Sequence, residues 1–290
     1  MRAAAVSKAL NDRIVERARA WGVAIERAAA TATSVLVYGK RAGQPVVMKL
    51  AKHAGDEWRS GEIAAAFGGR GVVKVYEFVG GAALLEHVQP GEQLATLAVA
   101  GRDEEATEIL ASLIGRMSPG DAPTGCPTVD EWGAAFANYL ATGDERVPRA
   151  LVEPAQRIYA ELCLTQRNPA LLHGDLQHYN VLRDDQRGWL AIDPKGVIGE
   201  LEYELGAMLR NPLGVPELYT LEAAERRLER FGAALGIDVE RARAWGFAQA
   251  VLSAIWLIED GQEARADEPS LLLARALEQS PALRADYLEK

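Results

Sequence analysis

The stretch LLHGDLQHYNVLRDDQRGWLAIDPKG, Leu171–Gly196, places His173, Asp175, Asn180 and Asp193 on two short apolar segments joined by a polar turn. The turn DDQRG lets the segments pair as a hairpin, which brings Asn180 and Asp193 to the same end. Asp and Asn are common turn residues. Four polar residues at these offsets, the last following the apolar run WLAI, ask for more than a turn. The set can hold a proton acceptor and a divalent metal around a transferring phosphoryl group. It points to an enzyme rather than a binding module.

The bulk properties agree. A chain of 290 residues is long enough for one large domain or two lobes, each with its own core. A net charge of -9 argues against a nucleic-acid backbone as partner and suits a cationic small molecule. The 2 cysteines, Cys126 and Cys163, lack C-x-x-C spacing and read as thiols in a reducing compartment. The opening MRAAAVSKALNDRIVERARAWG mixes charges through an amphipathic pattern, unlike a signal peptide. No run approaches the roughly 20 apolar residues that span a bilayer. A cytoplasmic monomer that touches neither membrane nor nucleic acid is the expectation.

Outward from the motif, the first third reads as mixed α/β. A helix is expected over 7–21, a hairpin from the β-branched runs 34–38 and 45–50, and a helix over 56–67 stopped by Gly68 and Gly69. Strands are expected over 72–79 and 82–88. QPGEQ, from Gln89, then breaks the pattern and marks a boundary between lobes 1–88 and 89–290. Helical periodicity follows over 102–116, 130–140 and 153–165. Beyond the motif it returns over 202–210, 221–235, 239–258 and 269–278. The expected fold is α+β and bilobal, with a small antiparallel-sheet lobe followed by a larger, mainly helical one.

HGDLQHYN has the H-x-D-L-x-x-x-N form of a kinase catalytic loop. In that reading Asp175 takes or orients the proton of the acceptor hydroxyl. Asn180 offers an amide oxygen to Mg²⁺, and Asp193 a carboxylate linking metal and phosphates. His173 braces the loop. With Gly174 where protein kinases carry arginine, the loop resembles the aminoglycoside phosphotransferases. WLAIDPKGVIGELEYELGAMLRNP is similar, more narrowly, to the streptomycin 6-phosphotransferase and aminoglycoside/hydroxyurea resistance kinase group. The resemblance is strong over 171–212 and recurs in LSAIWLIEDG, 252–261. It implies a protein-kinase-like fold, ATP as donor, Mg²⁺, and the 6-hydroxyl of streptomycin as acceptor.

A kinase also needs a strand lysine paired with a helix glutamate. PVVMKL supplies Lys49, and GEIAAAF supplies Glu62, preferred to the competing Glu57 as a helical turn deeper. TATSVLVYG lacks a glycine-rich loop; Thr33 and Ser34, with Thr31, are expected to present polar groups to the phosphates. Glu86-His87-Val88 reads as the hinge whose backbone binds adenine. For a cationic acceptor, Glu200, Glu204, Glu259 and Asp260 offer carboxylates, and Trp256 a stacking face. Lys195 touches phosphate or solvent. The alternatives are a kinase for another hydroxylated metabolite or hydroxyurea, a protein kinase, and a nucleotide-binding pseudokinase. The short segment after Asp193 disfavours the protein kinase, and the presence of Lys49, Asp175 and Asp193 disfavours the pseudokinase.

Overall fold

The computed structural model describes residues 7–289. The first six residues, part of the opening read above for a leader, lie outside them. Ser7 caps helix α1 (Lys8–Trp21) through its hydroxyl, and Gly22 ends it in the left-handed region. Strands β1 (Val23–Ala30), β2 (Ser34–Arg41) and β3 (Gln44–Ala51) follow, then a 3-10 turn at Asp56–Arg59 and helix α2 (Ser60–Ala66). Strands β4 (Val75–Val79) and β5 (Ala82–Glu86) complete a five-stranded antiparallel sheet of order β1-β2-β3-β5-β4. Leu10, Ile14 and Trp21 of α1 share a core with Val35, Val37, Met48 and Leu50 of the sheet.

The sequence reading missed β1. VAIERAAA has low β propensity and is exposed along most of its length. It is a strand because β2 offers a free edge, which it meets from Val23↔Arg41 to Ala30↔Val35. The helix expected over 56–67 is likewise divided, since its first turn is 3-10.

Strand β6 (Pro90–Gln93) leads into α3 (Ala95–Val99), α4 (Asp103–Arg116), α5 (Val129–Thr142) and α6 (Arg149–Leu164). A capping box of Thr128 and Glu131 starts α5. Then come β7 (Ala170–Leu172), β8 (Val181–Asp184), β9 (Gly188–Ala191) and β10 (Val197–Gly199), followed by α7 (Leu201–Leu209), α8 (Leu221–Leu235), α9 (Val239–Glu259) and α10 (Pro269–Glu278). Helix α9 is buried on nearly all sides, with α6, α7 and α10 packed around it. That burial explains its lack of a polar face. No helix of the described residues is long and apolar enough to cross a membrane.

Candidate active site

Strands β8 and β9 pair in register, Val181↔Ala191 to Asp184↔Gly188. One further bond, from Ile192 N to the carbonyl of Asn180 at 2.9 Å, closes the open end of the hairpin and sets Asn180 beside the start of IDPKG. The His173 ring joins the two motifs. Its Nε2 lies 2.8 Å from the Ile192 carbonyl, which can only accept, so the proton sits on Nε2. Nδ1 is then free to accept from Asp175 N at 3.3 Å. Complete burial lowers the ring's pKa and keeps this neutral tautomer. The His173 carbonyl in turn accepts the amides of Lys195 and Gly196 at 2.9 and 3.0 Å.

The Asn180 side-chain amide donates to the Asp175 carbonyl at 2.9 Å and to Asp175 Oδ2 at 3.2 Å. Asp193 holds φ at +58°, a conformation unusual for a residue with a side chain. Its Oδ1 lies 2.8 Å from the ammonium of Lys49. Lys49 itself is almost wholly buried on β3. Burial alone would lower its pKa; the carboxylates of Asp193 and Glu57 outweigh that and raise it. The lysine is therefore charged and bridges two acids.

The second acid is Glu57, not Glu62. With Asp56–Arg59 wound as a 3-10 turn, Glu57 reaches the sheet, and the α-helix proper begins only at Ser60. Gly61, Ile63 and Ala64 form its buried face, so Glu62 lies on the flank and pairs with Arg59 at 2.9 Å. Ser34 is also turned inward. Its hydroxyl points to Glu57 at 3.4 Å and its amide donates to Thr31 Oγ1 at 2.9 Å, so neither group is available to a phosphate. Thr33 stays exposed in the β1–β2 turn, where its carbonyl accepts from Lys52 N at 2.8 Å.

Between sheet and hairpin lies a cavity of about 210 Å³, with Leu36, Val47, Lys49, Leu85, Ile192 and Asp193 among its walls. Glu86, His87 and Val88 form one side. The Glu86 side chain is tied to Arg187 and to Lys74 N, and its own amide donates to the Lys74 carbonyl at 3.0 Å, which fixes the segment along the cavity.

Two of the acidic residues expected to meet an acceptor are internal struts instead. Glu200 is fully buried; it pairs with Arg241 at 2.5 Å and accepts from Trp245 Nε1 and Arg167 N. Glu204, one turn into α7, takes the backbone amides of His173 at 2.7 Å and Gly174 at 3.0 Å. Their charge suggested contact with an acceptor; their burial and partners make them structural anchors. Trp256 sits edge-on to Trp132, their rings 5.6 Å apart. Glu259 and Asp260 are exposed at the end of α9.

Two neighbours of the site were not read from the sequence. Trp132 packs on the loop that carries Asp175 so closely that a Cβ at Gly174 would stand 3.0 Å from its ring. Arg210, at the end of α7, brings its guanidinium to 4.0 Å from Asp175 Oδ1. The signal for Arg210 was a basic residue directly after the apolar run Leu205–Leu209.

The family model for the aminoglycoside/hydroxyurea antibiotic resistance kinase matches residues 21–261. The chain is 32% identical over 240 residues to the streptomycin 3''-kinase of Klebsiella pneumoniae, covering 80% of this chain and 86% of that one. It is 31% identical over 268 residues to the hydroxyurea phosphotransferase of Kitasatospora aureofaciens, with 88% and 75% covered. It is 29% identical over 286 residues to the streptomycin 6-kinase of Streptomyces glaucescens, with 93% and 88% covered. Among solved structures, the aminoglycoside phosphotransferase APH(4)-Ia superposes with a TM-score of 0.62 at 15% identity, over 92% of this chain and 98% of that one. That likeness shows the kinase-like fold. The match to the family model over most of the length shows the rest: the chain belongs to the aminoglycoside/hydroxyurea antibiotic resistance kinase family, and it is a phosphotransferase with an alcohol group as acceptor.

Proposed function

We propose that this phosphotransferase moves the γ-phosphoryl group of ATP, with Mg²⁺, to the 6-hydroxyl of streptomycin. The observation that carries the reading is the contact of Lys49 with Asp193 in a chain segment tied by His173 to Asp175. Lys49 and Asp193 line the cavity, and hydrogen bonds through His173 and Asn180 link them to the carboxylate of Asp175. Lys49 grips the α- and β-phosphates, and the 86–88 segment receives the adenine. Asp175 takes the proton of the acceptor hydroxyl as the new P–O bond forms and the bond from the γ-phosphorus to the β–γ bridging oxygen breaks, with ADP as the leaving group.

The donor set suits Mg²⁺. Asp193 brings a carboxylate, and the amide N–H groups of Asn180 are directed to Asp175, which leaves its side-chain oxygen for a cation. Among the described residues, no group of three or more His, Cys, Asp or Glu could hold a metal alone. Mg²⁺ commonly binds through one or two protein ligands plus substrate phosphates. When bound, it neutralises charge on the phosphate oxygens.

The relatives at 32% and 29% identity carry names with different streptomycin positions, 3'' and 6. The 6-hydroxyl is the reading supported by the resemblance of WLAIDPKGVIGELEYELGAMLRNP to the 6-phosphotransferase group, with the 3''-hydroxyl as the competing position. Hydroxyurea is the second reading, supported by the relative of that name. The test is incubation with Mg-ATP and a panel of streptomycin, other aminoglycosides and hydroxyurea, read by mass spectrometry and phosphorus NMR. Streptomycin 6-phosphate should form, and Asp175→Asn should lower its rate by about 10²- to 10⁴-fold. No product from any aminoglycoside would sink the substrate, and full activity in the variant would sink the mechanism.

A further inference from the structure

Arg210 stands in an unusual position for a site that takes a cationic molecule. It closes α7, and the backbone around it is fastened by another arginine. Arg227 Nη1 donates to the carbonyls of Met208 at 3.1 Å, Leu209 at 3.2 Å and Asn211 at 2.9 Å, and its far side pairs with Asp103. The carbonyls of Met208 and Leu209 are among those a helix end normally leaves without a helical partner. The Arg210 side chain is 13% exposed, yet among the described residues its nearest polar contacts are Gln249 Oε1 at 3.5 Å and Asp175 Oδ1 at 4.0 Å, with the Glu268 carboxylate and the Tyr203 hydroxyl acting on it only through their field. Of its five N–H donors, one makes a long hydrogen bond and none is in hydrogen-bond range of Asp175. A rigidly based, largely desolvated guanidinium with uncommitted donors beside the acceptor carboxylate is arranged to meet a ligand.

We propose that Arg210 is an acceptor-binding residue that reads an oxygen on the carbon next to the accepting hydroxyl. This rests on the phosphotransferase reading above. A hydroxyl held on Asp175 lies about 2.7 Å from a carboxylate oxygen. Because Arg210 Nη2 lies 4.0 Å from Asp175 Oδ1, a neighbouring oxygen on the adjacent carbon can stand to one side of that line, within about 3 Å of the guanidinium, while the hydroxyl stays on the carboxylate. An ammonium or guanidinium on that carbon would meet like charge with no acceptor lone pair to offer. The acceptor class is therefore a vicinal diol or alkoxy alcohol, with its cationic groups directed away from Arg210.

The experiment is a cycle between residue and ligand. Wild type and Arg210→Met are compared on streptomycin and on its derivative deoxygenated at the carbon bearing the oxygen next to the phosphorylated hydroxyl. Removing the oxygen should cost the wild type roughly 10- to 100-fold in kcat/KM, and Arg210→Met should lose a similar factor on streptomycin. The variant should then treat both acceptors alike, with its KM for ATP and its Tm unchanged. Arg210→Lys should recover part of the loss. Independent losses, or a fall in kcat with the acceptor KM untouched, would overturn the proposal and make Arg210 a tether for Asp175. A wild type active on streptomycin with no such coupling defeats this inference alone. A wild type inert toward every aminoglycoside defeats the functional reading and this inference with it.

Discussion

Lys49 is one ammonium between two carboxylates, and the choice of its helix-side partner is decided by a single turn of backbone. Glu57 and Glu62 are five positions apart, close enough that hydropathy cannot separate them. The 3-10 winding of Asp56–Arg59 turns the first inward, while Arg59 holds the second on the flank. Glu57→Gln should therefore weaken catalysis with ATP by roughly 10- to 100-fold in kcat/KM, and Glu62→Gln should stay within about threefold. Steady-state kinetics of the two variants side by side decide it; equal losses would overturn the pairing. Gly174 follows the same logic of single positions. Its φ of +79° and the nearness of Trp132 and Val197 leave no room for the arginine of protein kinases.

Helix α7 holds the loop that carries Asp175 through one side chain. Glu204 is buried, which raises its pKa to about 7 from 4.5 even though the amides of His173, Gly174 and Leu176 partly offset the burial. The folded state thus holds this proton more tightly than the unfolded chain. Its contribution to stability is complete below the unfolded value, falls as pH rises, and is gone above about 7. The loss across that window is up to about 3 kcal/mol. Thermal unfolding at pH 5 and pH 8 should show a larger drop in Tm for the wild type than for Glu204→Gln. Parallel curves would refute the assignment. The residue was legible as acidic and as part of GELEYE, but only its contact with the loop shows that it supports Asp175 from below rather than facing an acceptor.

Across the whole molecule, the sheet and the helical region meet along the site. Gly196 sits so close to Ile63 of α2 that a Cβ there would approach within 2.6 Å, and Arg59 reaches across to the carbonyls of Thr124 and Gly125. A nucleotide in the cavity would touch both sides, so binding should stabilise the chain as a unit. Mg-ATP at about 100 times its Kd should add roughly 2.7 kcal/mol, several degrees of Tm, and Lys49→Met should abolish most of that shift. An undiminished shift in the variant would remove Lys49 from the nucleotide site. What the sequence by itself determined was the periodic and the punctuated. The helices at Leu221–Leu235 and Pro269–Glu278 lie between a Thr220 cap, Gly236 and a leading proline, and the β8–β9 hairpin follows from its turn. The offsets of Asp175, Asn180 and Asp193 were legible for a similar reason: Asn180 and Asp193 flank one hairpin, and Asp175 lies in the short loop before it, so local geometry sets the distances. The tertiary structure alone decided β1, whose residues become a strand only against a neighbour's edge. It also decided Glu57 over Glu62, the burial of Glu200 and Glu204, and the approach of Arg210 to Asp175. Each depends on which elements pack together, and a carboxylate or guanidinium has the same letter whether it faces solvent, a backbone amide or a substrate.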